Sequence, residues 1–153
     1  MLLDEYQPKR IFTIEEANAS LPLVRVITKD YVELTRELTE RRQRLSHLLV
    51  GREMEQGNPY SDELAQIDEE LEKEKHRLQD YIQELRDLGV EPKGGLEGLI
   101  DFPAMIDNKL VFLCWKLDEP EILYWHDLDA GFAGREPLTV NTAEHRRSHE
   151  FDL

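Results

Sequence analysis

The sequence predicts an α+β fold: a long antiparallel, coiled-coil-like helical hairpin packed at its base on a small antiparallel β-meander. Three observations predict it. Two stretches carry matched apolar repeats, Val24, Ile27, Tyr31, Leu34, Leu38, Arg41, Leu45, Leu48 and Leu64, Ile67, Leu71, Glu74, Leu78, Tyr81, Leu85, Leu88. Both step by three and four, which keeps one narrow stripe against a partner helix. Between them lies Gly51 to Tyr60, rich in turn-forming residues, so the chain doubles back. That reversal pairs Val24 with Leu88, Ile27 with Leu85, Tyr31 with Tyr81 and Leu34 with Leu78, then Leu38 with Glu74, Arg41 with Leu71, Leu45 with Ile67 and Leu48 with Leu64. After Leu88 the helical period stops at Gly89, and Gly94, Gly95 and Gly98 lead into segments of β character.

The first helix should start at Thr13, because Thr13 followed by Glu16 forms a capping box in which hydroxyl and carboxylate satisfy each other's free amides. Pro22 lacks the amide a helix interior needs. Two arrangements therefore stand open: a short helix over Ile14 to Ser20 with Ser20 capping a longer one, or one continuous helix kinked at Pro22. The arm from about Pro22 to Leu49 would extend ~42 Å, longer than a small domain is wide. The off-seam apolar residues Leu21, Leu23, Val26, Val32 and Ile82 lie near its base, which is where the β module should dock. Leu49, Val50, Met54 and Tyr60 are expected to cap the tip. Arg41 and Glu74 interrupt the seam in adjacent layers and read as a register-setting pair.

Three strands are expected, over Gly98 to Ala104, Lys109 to Leu117 and Glu121 to Asp127, joined by the turn-prone Asp107-Asn108 and Asp118-Glu119-Pro120. In the second, Val111, Leu113, Trp115 and Leu117 share one face and Leu110, Phe112, Cys114 and Lys116 the other. Both faces are largely apolar, so this strand should be central. Residues 1–138 then form one domain, with the helical hairpin over 12–88 and the β-rich module over 89–138. The polar stretch 139–153 reads as a flexible tail.

Composition narrows the function classes. The net charge is −14, and no segment forms a basic face; the run Arg41, Arg42, Arg44 shares its helix with Glu33, Glu37 and Glu40. Such a field repels phosphate backbones, which excludes nucleic acid as a partner. Cys114 is the single cysteine, as suits a reducing compartment. Met1 to Phe12 lacks the apolar core of a leader peptide, and no run reaches the ~20 apolar residues of a membrane span. A soluble cytoplasmic protein is the expectation, with no membrane contact.

The stretch Tyr124 to Arg135 concentrates polar, aromatic and glycine residues and is the candidate site. A metal would draw on Asp101, Cys114, Glu119, His126, Asp127 and Asp129, with His126, Asp101 and Glu119 first among them. Strand alternation sends His126 and Asp127 to opposite faces, so the H-D-x-D string is not a ready-made chelate, and no cofactor is assigned. An anion site would use inward-turned amides around Gly131 and Gly134 with Arg135 as a forked donor. The alternative is that Arg135 pairs with Asp101 or Glu119 and ties the loop to the sheet. Cys114 reads as a small buried hydrophobe. Whether it shares a face with His126 depends on a register the sequence leaves open.

The order of E-E-A-N-x-x-L-P near the start, G-L-I-D-F-P-A, L-C-W-K, E-P-E-I-L-Y-W-H and G-F-A-G-R resembles an uncharacterised bacterial family, domain of unknown function 2203. The resemblance covers Phe12 to about Leu138 and implies no activity. Its motif residues map onto Asp101, Cys114, Trp115, Glu119, Trp125, His126, Gly131, Phe132, Gly134 and Arg135.

Two functions follow as expectations. The first is a non-enzymatic interaction or scaffold module whose hairpin meets a protein partner or a second copy of itself. The second is a small-anion or metal-binding protein, open to catalysis, with ligand contacts from His126, Arg135, Asp101, Glu119, Trp125, Gly131 and Gly134.

Overall fold

The computed structural model describes residues 6–49 and 59–139, and the side chains of residues 6–47 and 63–139. Helix α1 spans Ile14–Leu49 and helix α2 Pro59–Asp87; strands β1 (Glu91–Gly94), β2 (Leu99–Ile106), β3 (Lys109–Lys116), β4 (Tyr124–Asp127) and β5 (Glu136–Pro137) follow. No helix among the described residues is long and apolar enough to cross a membrane.

The capping box forms as expected. The Glu16 amide donates to Thr13 Oγ1 and the Thr13 amide to Glu16 Oε1, both at 3.0 Å. The Thr13 amide, more than any other neighbour, holds the Glu16 carboxyl below its ordinary range. At Pro22 the chain takes the continuous alternative, with the proline inside α1. Ser20 caps no second helix; its hydroxyl donates to the Ala17 carbonyl at 2.7 Å. One turn before the proline, Asn18 Oδ1 accepts the Ile122 amide at 2.8 Å and so pins the β module to this part of the helix. At 36 residues, α1 is ~54 Å long.

Val24 and Ile27 pack with Leu85, Tyr81 and Leu88, whereas Leu34, Leu38 and Leu45 pack with Leu71 and Leu78. Ascending numbers on α1 meet descending numbers on α2, so the hairpin is antiparallel. The proposed tip contacts of Leu49, Val50, Met54 and Tyr60, and the Leu48 partner of Leu64, lie outside the described side chains.

Two seam and base assignments need correction. Arg41 and Glu74 do not meet: Arg41 pairs with Glu37 at 3.0 Å and Glu74 with Arg77 at 3.8 Å. A residue of opposite charge one turn away on the same helix is a nearer partner than one across the seam. Leu21 and Val32 are buried, but Leu23 and Val26 are 54% and 59% exposed. The helical turn that points Leu21, Val24, Thr28 and Val32 inward rotates Leu23 and Val26 to the outer side.

The sheet is a five-stranded antiparallel meander in the order β1-β2-β3-β4-β5, with β3 at its centre. Two strands escaped the sequence reading. Both β1, with Pro92 and Gly94, and β5, with Pro137, sit at the edges, the positions that tolerate residues poor in strand propensity. The third expected strand begins later than read, at Tyr124, because the Ile122 amide is spent on Asn18 instead of the sheet. Asp107 and Asn108 form the β2–β3 turn with φ of 52° and 62°, the left-handed pair a two-residue hairpin demands.

One face of the sheet supplies Ile100, Phe102, Ala104, Val111, Leu113 and Trp115 to a core shared with Ala17, Leu21 and Val24 of α1 and Leu85 of α2. Phe12 closes it: its amide donates to the Pro103 carbonyl at 2.7 Å and its ring meets Phe102 edge-on. Gly98 ends the approach to β2 at φ +68°, and a Cβ there would stand 2.7 Å from Leu117 Cβ. Gly98→Ala is therefore expected to lower stability by about 2–4 kcal/mol, from left-handed strain plus overpacking. Urea unfolding checks this; a loss below about 1 kcal/mol would mean the turn relaxes freely.

Candidate functional site

The opposite face of the sheet carries polar groups under cover. Register sets Asp101 of β2 across from Cys114 of β3, and Phe112 of β3 across from His126 of β4. Asp101, Cys114 and His126 thus rise from three adjacent strands on one side, with His126 diagonal to Cys114. All three are buried, and their ligand atoms lie within 4.8 Å of one another. This resolves the register question in favour of a shared face.

His126 is held at both ring nitrogens. Nδ1 stands 2.7 Å from the Asp127 carbonyl, which can only accept, so Nδ1 carries a proton. Nε2 stands 3.0 Å from Asp101 Oδ1. Burial by itself pushes the imidazole pKa down. Hydrogen bonds with Asp101, the Cys114 thiol and the Asp127 carbonyl, together with the Asp101 charge, outweigh it and carry the value up to about 10. In the metal-free site His126 is therefore an imidazolium at neutral pH, with Asp101 as its partner. Phe112 packs against the His126 ring at 5.6 Å, and Tyr6 covers Phe112 at 5.5 Å. Burial first, then the charges of Glu91 and Asp101, raise the Tyr6 hydroxyl to about 12.

A cavity of about 240 Å³ opens onto this trio, and Lys93, Leu99, Leu128, Asp129, Gly131 and Phe132 form the rest of its wall. Gly131 turns the chain at φ 64°, ψ −168°, a conformation essentially restricted to glycine. It aims the short 3-10 turn Phe132–Gly134 along the cavity mouth, where Phe132 is 43% exposed.

The other expected site residues are arranged differently. Arg135 does not enter the cavity: it donates to Glu119 Oε1 at 2.5 Å and to the Cys114 carbonyl at 3.1 Å, and it lies 4.0 Å over the Tyr124 ring. Glu119 also accepts the Lys116 amide at 2.8 Å. The pair ties the last loop to β3, which is the alternative weighed for Arg135. It also removes Glu119 from the Asp101–His126 group. The Gly134 and Arg135 amides bond the Gly131 and Phe132 carbonyls of their own turn, so they do not form the inward cradle an anion site required. Trp125 pairs with Leu113 and packs against the helix-side core. Asp127 pairs with Lys109 at 2.6 Å on that same side, as strand alternation predicted. His47 and His76 are exposed on the helices, and His145 and His149 lie outside the described residues.

Sequence reasoning missed Lys93 and Tyr6; Leu128 lay within the candidate stretch but was given no role. Lys93 was readable in principle, since Glu91 and Lys93 alternate with Pro92, but only once Glu91–Gly94 is known to be a strand.

The geometry discriminates between chemistries. A Cys–His–Asp relay needs one imidazole nitrogen for the thiol and the other for the carboxylate. Here the Asp127 carbonyl occupies Nδ1, so Asp101 and the Cys114 thiol both approach the Nε2 side and the carboxylate does not hold the ring from the side opposite the thiol. A metal ligand needs the reverse: one nitrogen locked as a donor to a backbone carbonyl, and the other aimed at a point shared with further ligands.

No curated protein and no solved structure matches this chain. A family model, that of the uncharacterized conserved protein DUF2203, matches residues 10–138, the whole span from the approach to α1 through β5. On that match the chain belongs to the DUF2203 family.

Proposed function

We propose that this protein binds one divalent transition-metal ion through Asp101 Oδ, Cys114 Sγ and His126 Nε2. The observation that carries the proposal is the convergence of three different donor types, from three strands, within 4.8 Å and beside a cavity. Tetrahedral ligands at ~2.0–2.3 Å from zinc stand roughly 3.3–3.6 Å apart. The Nε2 to Oδ1 separation of 3.0 Å needs to open by only a few tenths of an ångström. A mixed N, O, S set favours zinc over magnesium or calcium, which prefer oxygen alone. Three protein ligands leave a fourth position open toward the cavity, the pattern of a reactive or ligand-exchanging site and not of a closed structural one.

Metal binding must displace the proton on Nε2 and that of the thiol. Affinity is therefore expected to rise with pH until His126 titrates, near 10. Elemental analysis after zinc loading and dialysis should find about one equivalent in the wild type. Cys114→Ser, close to isosteric, should retain less than a tenth of it, and the cobalt form should lose its thiolate-to-metal charge-transfer band. A wild type that retains no metal at pH 8, or a serine variant that binds equally well, would defeat the proposal.

The helical arm supports a second, separate reading as an interaction surface. Leu23 and Val26 sit about one turn apart on the outer side of α1, exposed while Leu21, Val24 and Ile27 are buried. A second copy meeting this face would form a four-helix arrangement. Light scattering should then give a dimer in the wild type and a monomer for Leu23→Lys with Val26→Lys; a wild-type monomer at high concentration rules it out.

A further inference from the structure

The cavity over Asp101, Cys114 and His126 carries charges that the metal reading does not use. Lys93 and Asp129 both line it, and among the described residues neither forms an ion pair. The Lys93 ammonium lies 5.7 Å over the Phe112 ring. A divalent ion held by one carboxylate, one thiolate and a neutral imidazole is a centre of zero net charge. The wall around it then presents the Lys93 cation and the Asp129 anion, the latter in the field of Lys109 but not in contact with it, flanked by the apolar Leu99, Leu128 and Phe132. A simple carboxylate would satisfy Lys93 but face Asp129 with like charge. A phosphate dianion would bring still more negative charge into a chain already at −14. A molecule with both signs and an apolar body meets each wall with its complement.

We propose that the open coordination position receives a free α-amino acid with an apolar side chain. Its carboxylate binds the metal and Lys93, its ammonium faces Asp129, and its side chain lies against Leu128 and Phe132. This rests on the metal reading. The cavity volume of about 240 Å³ falls below the ~300–1,000 Å³ of pockets for drug-sized ligands, which suits a ligand of this size. Phe132, exposed at the mouth, gains an apolar partner when the ligand is in place.

The test uses the full-length zinc-loaded protein, with metal content measured on the same sample, and calorimetric titration with L-leucine. Acetate, methylamine and inorganic phosphate serve as single-charge probes. Leucine is expected to bind at least tenfold more tightly than any of the three. Lys93→Ala and Asp129→Ala, both at exposed positions outside the ligand trio, should each weaken leucine at least tenfold while zinc stays stoichiometric. Retained zinc with no leucine response, a response equal to that of acetate, or indifference to both variants overturns this inference and leaves the metal reading standing. A protein without zinc overturns both.

Discussion

Asp101→Ala is expected to destabilise the metal-free protein by about 3–5 kcal/mol, because it removes the one acid that, among the described residues, bonds the buried imidazolium. The side chains of His126 and Asp101 are 2% and 4% exposed, so a water entering from the cavity would replace a charged partner with a neutral one. In a domain of this size that corresponds to a drop in Tm of roughly 10–15 °C. Asp101→Asn keeps the shape and one acceptor oxygen and should lose less. The same pair sets a pH dependence with a definite sign. The folded pKa of His126, about 10, lies above the ordinary 6.5. Its contribution, a few kcal/mol, is therefore fully present below pH 6.5 and lost as pH rises through 10. Tyr6, held up to about 12, titrates later and leaves that window to His126. Urea unfolding of metal-free protein from pH 6 to 10.5 should show the decline in wild type and little of it in His126→Gln. Flat wild-type stability across that range would mean the pair is not charged.

Trp115→Ala should cost about 3–5 kcal/mol, the range for emptying a buried aromatic site. Trp115 is fully buried in the central strand, and its indole N–H donates to the Glu119 carbonyl at 3.0 Å. Arg25 lies 5.5 Å over the same ring and donates to the Glu119 and Pro120 carbonyls. The substitution therefore strikes the core, the β3–β4 turn and the tie from α1 to that turn together. Circular dichroism should show the helices and sheet losing stability in a single transition, since one core contains residues of α1, α2, β2 and β3. Trp125→Ala, at a partly exposed position, should cost about half as much or less. A loss under 1.5 kcal/mol for Trp115→Ala would contradict this account of the core.

The hairpin was legible because its information is local. A three-four apolar step specifies helix and buried face at once, and two such stripes joined by a turn-rich segment leave few alternatives to an antiparallel pair. Thr13 with Glu16 and Asp107 with Asn108 were legible for the same reason, each being a short motif that closes its own hydrogen bonds or matches its own turn. β1 and β5 were not, because an edge strand of two to four residues containing proline owes its conformation to its neighbour's free amides and carbonyls. Leu23 and Val26 misled because hydrophobicity marks a residue as able to be buried, while the angular position around α1 decides whether it is.

For the site, sequence put His126, Asp101 and Glu119 ahead of Cys114, Asp127 and Asp129 as candidate ligands, and so ranked Glu119 above the cysteine that shares the face. Chain chemistry alone determined the two helices, a central apolar β3, and a net charge of −14. Tertiary structure alone decided that β3 carries Cys114 between Asp101 on one neighbour and His126 on the other, while Glu119 turns away to Arg135. The physical reason is that strand register is a long-range quantity. A slip of one residue inverts every side chain, and what fixes the register here is contact between distant segments, such as Asn18 with Ile122 and Arg25 with Glu119.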